Sequence, residues 1–93
     1  MIKCVVELFG LPHQPTDLRE LEVGLRDGAQ LGDVIAALRR EMPTLDGHVI
    51  VAGEDRLVDY CAFNINGYFY FDDQELQLQD GDRLILLTLA TGG

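Results

Sequence analysis

The sequence has no apolar run long enough to cross a lipid bilayer. Its longest apolar stretch, residues 84–90, is far shorter than the roughly 20 residues that a spanning helix needs. Near its first residue it also has no basic segment followed by an apolar one and a small-residue cleavage site, the pattern of a secretory leader. We therefore expect a cytoplasmic protein without a membrane partner.

Basic side chains are scarce. Seven Lys and Arg residues stand against sixteen Asp and Glu residues, which gives a formal net charge of −9. A field of this sign repels nucleic-acid phosphates and anionic lipid headgroups. The aromatic run at residues 68–71 has no basic neighbours, so we interpret it as strand packing and not as a platform for bases. Nucleic acid is therefore not an expected partner.

Cysteine and histidine are too few and too isolated for a metal or catalytic site. Cys4 and Cys61 stand without CxxC pairs or nearby histidines, and we expect both to be small buried hydrophobic residues. His13 and His48 have no nucleophile or metal ligand at a useful spacing. We therefore predict that the chain binds no metal and is not an enzyme by itself.

What is present fits one small globular domain. The 93 residues are enough for a single core, and 47% of them are hydrophobic, far from the composition of a disordered chain. Period-two alternation predicts a strand over 2–9, with the even-numbered apolar residues on one face. A second alternating segment, roughly 18–25, predicts a strand that forms a hairpin with the first.

The middle of the sequence changes to a helical period. Apolar residues recur at helical spacing from Leu31 to Met42, so we predict one main helix there. Asp33 in the first turn complements the helix dipole, and Pro43 ends the helix. Gln30 is a poor N-cap, so the predicted start has a margin of a residue or two.

Alternation returns in the last third of the chain. The dipeptide Asn66-Gly67 is a strong hairpin signal, and Asp80-Gly81-Asp82 predicts a further turn. We expect residues 44–58 to form a loop with one short strand or turn. The predicted strands of this region are 61–65, 68–71 and 83–89. The element order is therefore strand, strand, helix, strand, short strand, strand, which indicates an α+β domain.

The last predicted strand is apolar on both faces. Leu84 and Leu86 point to one side, and Ile85, Leu87 and Leu89 point to the other. One helix covers only one face of a sheet. The second row therefore either packs under the loop at 44–60 or remains open as an interaction surface.

The sequence ends in Gly92-Gly93, directly after this strand. Glycine has no Cβ, so two glycines give a thin and adaptable backbone that can thread a narrow channel. We expect the carboxylate of Gly93 to be the reactive group. A carboxylate is a weak electrophile until it receives a better leaving group, so we expect a nucleotide-using partner to activate it.

These features resemble the ubiquitin-like sulfur carriers, and most closely the small subunits of molybdopterin synthase. The likeness covers nearly the whole chain. The segment MIKCVVELFG is similar to the first strand of the family, LGDVIAALRREMP to its helix and FNINGYF to its Asn-Gly hairpin. The most specific segment is LQDGDRLILLTLATGG, in which a DGD turn precedes the last strand and Gly-Gly.

The resemblance implies a β-grasp fold, a mixed sheet of four or five strands with one main helix. Residues 1–90 would form this domain and residues 91–93 a flexible tail. An activating enzyme would use ATP to adenylate Gly93, sulfur would replace AMP, and the large subunit of molybdopterin synthase would receive the thiocarboxylate. The carrier itself would bind no cofactor. The implied partner-binding residues are Gly92, Thr91, Leu89, Leu87 and Phe69.

Three classes of function remain open from the sequence. The first is a sulfur carrier, for molybdopterin or for the thiazole of thiamin. The second is a ubiquitin-like modifier joined to lysines through Gly93. The third is a β-grasp adaptor whose Gly-Gly takes part in no reaction. The sequence does not specify the sulfur donor or the oligomeric state.

Overall fold

The computed structural model describes residues 1–11, 20–71 and 73–89 of the chain. Within these ranges, five strands and one main helix follow one another in the predicted order, with a short 3-10 helix after the main helix. The elements are β1 (Ile2–Phe9), β2 (Glu20–Leu25), α1 (Leu31–Glu41), the 3-10 helix (Pro43–Leu45), β3 (Cys61–Ile65), β4 (Tyr68–Tyr70) and β5 (Arg83–Thr88).

The strands form a single mixed sheet in the order β2-β1-β5-β3-β4. The central pair, β1 and β5, is parallel, although one strand comes first and the other last in the sequence. All other pairs are antiparallel, including the predicted hairpin of β1 and β2 and the hairpin of β3 and β4. The β3–β4 turn has Asn66 at φ 54° and Gly67 at φ 88°, the two positive values of a type I′ turn.

Helix α1 begins at Leu31, at the start that the apolar spacing predicts. The Gln30 N–H donates to Asp33 Oδ2 at 2.8 Å, so the Asp33 carboxylate caps the first turn. The N–H groups of Leu31 and Gly32 donate to the carbonyl oxygens of Leu76 and Gln74 at 2.8 and 2.9 Å. These bonds satisfy N–H groups that have no partner within a helix, although Gln30 is a weak capping residue.

The hydrophobic core lies between α1 and one face of the sheet. The strands contribute their alternate residues, and the segment between α1 and β3 contributes Leu45, Val49, Ile50 and Leu57 to the same cluster. This segment forms the short 3-10 helix and isolated bridges, as the expectation of a loop with a short strand or turn allows. The loop therefore packs on the helix side of the sheet.

Three strand ends differ from the alternation pattern. Strand β2 begins at Glu20 and not at residue 18, a position that lies outside the described residues. Strand β4 ends at Tyr70 and β5 at Thr88, each one residue before the predicted end. Alternation reports which face a side chain occupies, and it continues past the point where backbone pairing stops. In the described part of the chain, no helix has the length and apolar character needed to span a membrane.

Candidate functional site

The candidate site is the sheet face that α1 leaves uncovered, which we call the open face. Strand β5 shows the two faces most clearly. Leu84 and Leu86 are fully buried against the helix side, whereas Ile85 and Leu87 on the opposite side are only partly buried. The alternative in which the segment at 44–60 covers this second row is wrong, because the apolar residues of that segment join the core on the helix side.

An apolar patch crosses the open face over three strands. Phe9 on β1 lies opposite Leu87 on β5, and the side chain of Phe9 is 71% exposed. One row away, Ile85 lies opposite Asn64 on β3, and Asn64 lies opposite Phe69 on β4, which is 49% exposed. We call Phe9, Phe69, Ile85 and Leu87 the apolar patch. A contiguous exposed surface of this kind is typical of a protein-binding site.

Charged side chains border the patch on the β2 side. Arg83 lies at the beginning of β5, and its Nη2 donates to Glu7 Oε1 at 2.6 Å and to Glu20 Oε2. The hydrogen bond to Glu7 and the charges of both carboxylates raise the pKa of the Arg83 guanidinium above its ordinary value. Two carboxylates therefore share one guanidinium, and this border has a net negative charge.

The chain leaves the sheet beside the apolar patch. Strand β5 ends at Thr88, one residue after Leu87, which is the partner of Phe9 in the sheet. The Leu89 N–H then donates to the Tyr60 carbonyl oxygen at 2.7 Å, which fixes the last described residue to the segment before β3. Any group carried by the following residues therefore starts from the same end of the sheet as the patch.

The structure brings three of the predicted partner-binding residues to this region. Leu87 and Phe69 belong to the apolar patch, and Leu89 follows the end of β5. Thr91, Gly92 and Gly93, and the predicted boundary between domain and tail at residue 90, lie outside the described residues.

The sequence interpretation did not single out Phe9 as a site residue. The signal was present, because Phe9 is an aromatic residue in the odd-numbered row of β1, beside Lys3 and Glu7. Its position opposite Leu87 depends on the parallel β1–β5 pairing, which joins segments that lie 78 residues apart in the sequence. Alternation within one strand does not contain that information.

The two thiols lie away from this chemistry. Cys4 and Cys61 are 0% and 1% exposed, which confirms the expectation that both are buried. Burial raises the pKa of both thiols above the ordinary value, so the reactive thiolate form is disfavoured. The described residues bring together no group of three His, Cys, Asp or Glu residues suited to a metal ion. What the site offers is a docking surface beside a chain exit.

Comparison with protein families gives one match over most of the chain. The model of the ThiS family matches residues 6–93, which excludes only the first five residues. No curated protein sequence gives a significant match. The match includes β1 from Val6 onward, the helix, the apolar patch and the Gly-Gly segment.

Solved structures confirm the β-grasp fold. The crystal structure of SAMP1 from Haloferax volcanii is 24% identical, with a TM-score of 0.81 over 98% of this chain and 99% of that chain. A putative molybdopterin converting factor, subunit 1, from Pyrococcus furiosus is 19% identical, with a TM-score of 0.71 over 97% of this chain and 100% of that chain. At these identities the likeness is one of fold.

Proposed function

This chain belongs to the ThiS family, and from that membership we propose that it is a sulfur carrier whose Gly93 carboxyl group becomes a thiocarboxylate. The family match over residues 6–93 is the observation that carries the proposal. The apolar patch beside the end of β5 supports it, because a carrier needs a surface that partners recognise close to its reactive group.

The proposed chemistry takes place on the activating enzyme and not on this chain. A Gly93 carboxylate oxygen attacks the α-phosphate of ATP and releases pyrophosphate. The sulfur of a donor then attacks the resulting acyl adenylate and displaces AMP, which leaves a thiocarboxylate after the sulfur is released from its donor. Gly92 has no Cβ and allows the chain to enter a narrow channel, and Thr91 and Leu89 line the approach.

We assign the apolar patch to docking of the activating enzyme and of the sulfur acceptor. Full burial of a Phe or Leu side chain contributes about 1.5–3 kcal/mol. Phe9 and Phe69 are both largely exposed in the free chain, so a partner gains much of that contribution when it covers them. The same patch serves both partners in turn, because both need access to the residues that follow Leu89.

We propose the large subunit of molybdopterin synthase as the acceptor. Two likenesses support this choice. The segment LQDGDRLILLTLATGG resembles the small subunits of that enzyme. The fold is similar to that of the Pyrococcus furiosus protein described as a putative molybdopterin converting factor. A thiazole synthase of thiamin synthesis is the alternative acceptor within the same family chemistry.

A second candidate function uses the same activated Gly93. One solved structure with the same fold is that of small archaeal modifier protein 1 of Haloferax volcanii, which is 21% identical to this chain with a TM-score of 0.76. In a modifier, a lysine amine of a target protein takes the acyl group in place of sulfur. The two functions share docking and adenylation, and they differ in the nucleophile that follows.

Mass spectrometry of protein purified from its native host tests the proposal. A sulfur carrier contains a fraction about 16 Da heavier than the unmodified chain, because sulfur replaces one oxygen, and fragmentation places the change on Gly93. A chain with Gly93 deleted is the control, and it lacks the heavier species. If an activating enzyme, ATP and a sulfur donor never produce that species, the carrier proposal is wrong.

The nucleophile and the acceptor are identified in a second experiment. Isopeptide-linked lysine adducts in the host, without thiocarboxylate, favour the modifier. Purified thiocarboxylate protein is then mixed with a molybdopterin synthase large subunit or with a thiazole synthase. Loss of the sulfur to only one of them, measured by the return of the unmodified mass, identifies the acceptor.

A further inference from the structure

The basic side chains of this protein differ in whether they can be acylated. Six of the seven are arginines, and Lys3 is the only lysine in the sequence. An arginine guanidinium stays protonated and does not act as an amine nucleophile, whereas a lysine amine does when it loses its proton. Lys3 is therefore the only side-chain amine of the chain that can attack an activated carboxyl group.

The thiols do not compete with it. Thioester exchange requires an accessible thiolate, but Cys4 and Cys61 are both buried in the core. Lys3 is different, since its side chain is 69% exposed and its Nζ lies 3.9 Å from Glu22 Oε1, a distance too long for a strong ion pair.

The sheet holds Lys3 far from the end of β5. The Lys3 carbonyl oxygen accepts the Gly81 N–H at 2.8 Å, and the Lys3 N–H donates to Asp80 Oδ1 at 2.8 Å. Lys3 thus lies beside Gly81, eight residues before Leu89, which corresponds to about 26 Å of extended chain. The reactive group is on the opposite end of the sheet.

That separation exceeds the reach of the tail. The four residues after Leu89 span at most about 14 Å when fully extended. An extended lysine side chain adds about 6 Å, so the two together cover about 20 Å even when they point directly at each other. An activated Gly93 therefore does not reach the Lys3 amine of its own chain while the sheet is intact.

We propose that Lys3 is the linkage site between copies of this protein, used only between chains and never within one. The proposal rests on the activation of Gly93 under the proposed function. The deprotonated Lys3 amine attacks the acyl carbon of the Gly93 adenylate of a second copy. The C–N bond forms as the C–O bond to AMP breaks, AMP leaves, and the amine proton passes to solvent.

The α-amine of Met1 is the competing nucleophile. It forms an ion pair with Asp27 Oδ1 at 2.7 Å, a closer contact than that of Lys3 with Glu22. Met1 also precedes Lys3 in β1 and so lies still farther from the end of β5. Linkage through Lys3 is therefore expected to exceed linkage through Met1.

A chemical thioester tests the proposal without any activating enzyme. The full chain is made as a Gly93 thioester by thiolysis of an intein fusion and mixed with an excess of isotope-labelled chains that carry a free Gly93 carboxylate. We expect a dimer of one unlabelled and one labelled chain. Trypsin digestion should release a Lys3-containing peptide that carries residues 84–93 as a branch.

The variant Lys3→Arg keeps the charge and removes the nucleophile, so the dimer yield should fall by about tenfold or more. A cyclised monomer, a Lys3→Arg variant that dimerises as well as the parent, or a dimer joined mainly at Met1 would each overturn the proposal. In urea, where the sheet no longer separates the groups, the cyclised monomer should appear. Because the thioester bypasses ATP, these outcomes do not depend on the thiocarboxylate experiment.

Discussion

Phe9 and Leu87 lie opposite each other in the parallel β1–β5 pair, on the sheet face that α1 leaves uncovered. Their neighbours along each strand, Leu8 and Leu86, also form a pair, but on the buried face. Adjacent residues of one strand thus have different roles, since one row holds the fold together and the other is available to a partner.

This division predicts opposite effects for two substitutions in β5. Leu86→Ala should reduce the free energy of unfolding by about 2–5 kcal/mol, because it removes buried methyl groups and leaves a cavity. Leu87→Ala should cost clearly less, since its side chain is only partly buried. Urea denaturation of both variants checks the difference. Equal losses would show that the open face belongs to the core.

Phe9→Ser tests the docking role of the apolar patch. Because Phe9 is 71% exposed, the variant should keep the melting temperature of the parent. The kcat/KM of the activating enzyme should fall by about tenfold or more, the effect of losing one aromatic contact at an interface. Tyr68→Ser is the matched control, since Tyr68 is 69% exposed but in the other row of β4 from Phe69. A similar loss in both variants would argue against the patch.

The buried thiols predict slow modification and a fall in stability at alkaline pH. Burial raises the pKa of Cys4 and Cys61, so the folded chain keeps these protons at pH values where the unfolded chain releases them. Stability is therefore full below the unfolded pKa of about 8.5 and decreases as the pH rises above it. Urea unfolding between pH 7 and 10 measures this slope. The slope should be smaller in Cys61→Ala.

The same burial should protect both thiols from a disulfide reagent. We expect modification of Cys4 and Cys61 to be slow in the folded chain and complete within the mixing time in urea. Fast modification of the folded chain at pH 8 would contradict the buried positions.

The net charge of −9 predicts that salt stabilises the fold. Repulsion among the acidic side chains disfavours the compact state, and salt screens it over a Debye length of about 10 Å at 0.1 M and 3 Å at 1 M. The melting temperature should therefore rise between 0.05 and 1 M potassium chloride, although the ion pairs of Arg39 and Arg83 weaken. Sucrose at equal osmolality is the non-ionic control. A decrease with salt would mean that the ion pairs dominate.

Local sequence features predicted the elements well and their lateral arrangement less directly. The Asn66-Gly67 turn and the stripe from Leu31 to Met42 depend on chain geometry over a few residues, and the structure contains both. The position of Phe9 opposite Leu87 depends on which distant strands pair. For Gln30, propensity alone underestimated a helix start that Asp33 and two distant carbonyl groups stabilise.

The place of β5 in the sheet also has a consequence for synthesis. β5 is the last strand to leave the ribosome, yet it lies at the centre of the sheet and joins the β2–β1 hairpin to the β3–β4 hairpin. Until it emerges, the two hairpins have no strand between them, and the closing contacts span most of the chain, which slows folding. The docking face and the start of the tail therefore form in the same step. An activating enzyme that recognises the face meets only chains whose folding is finished.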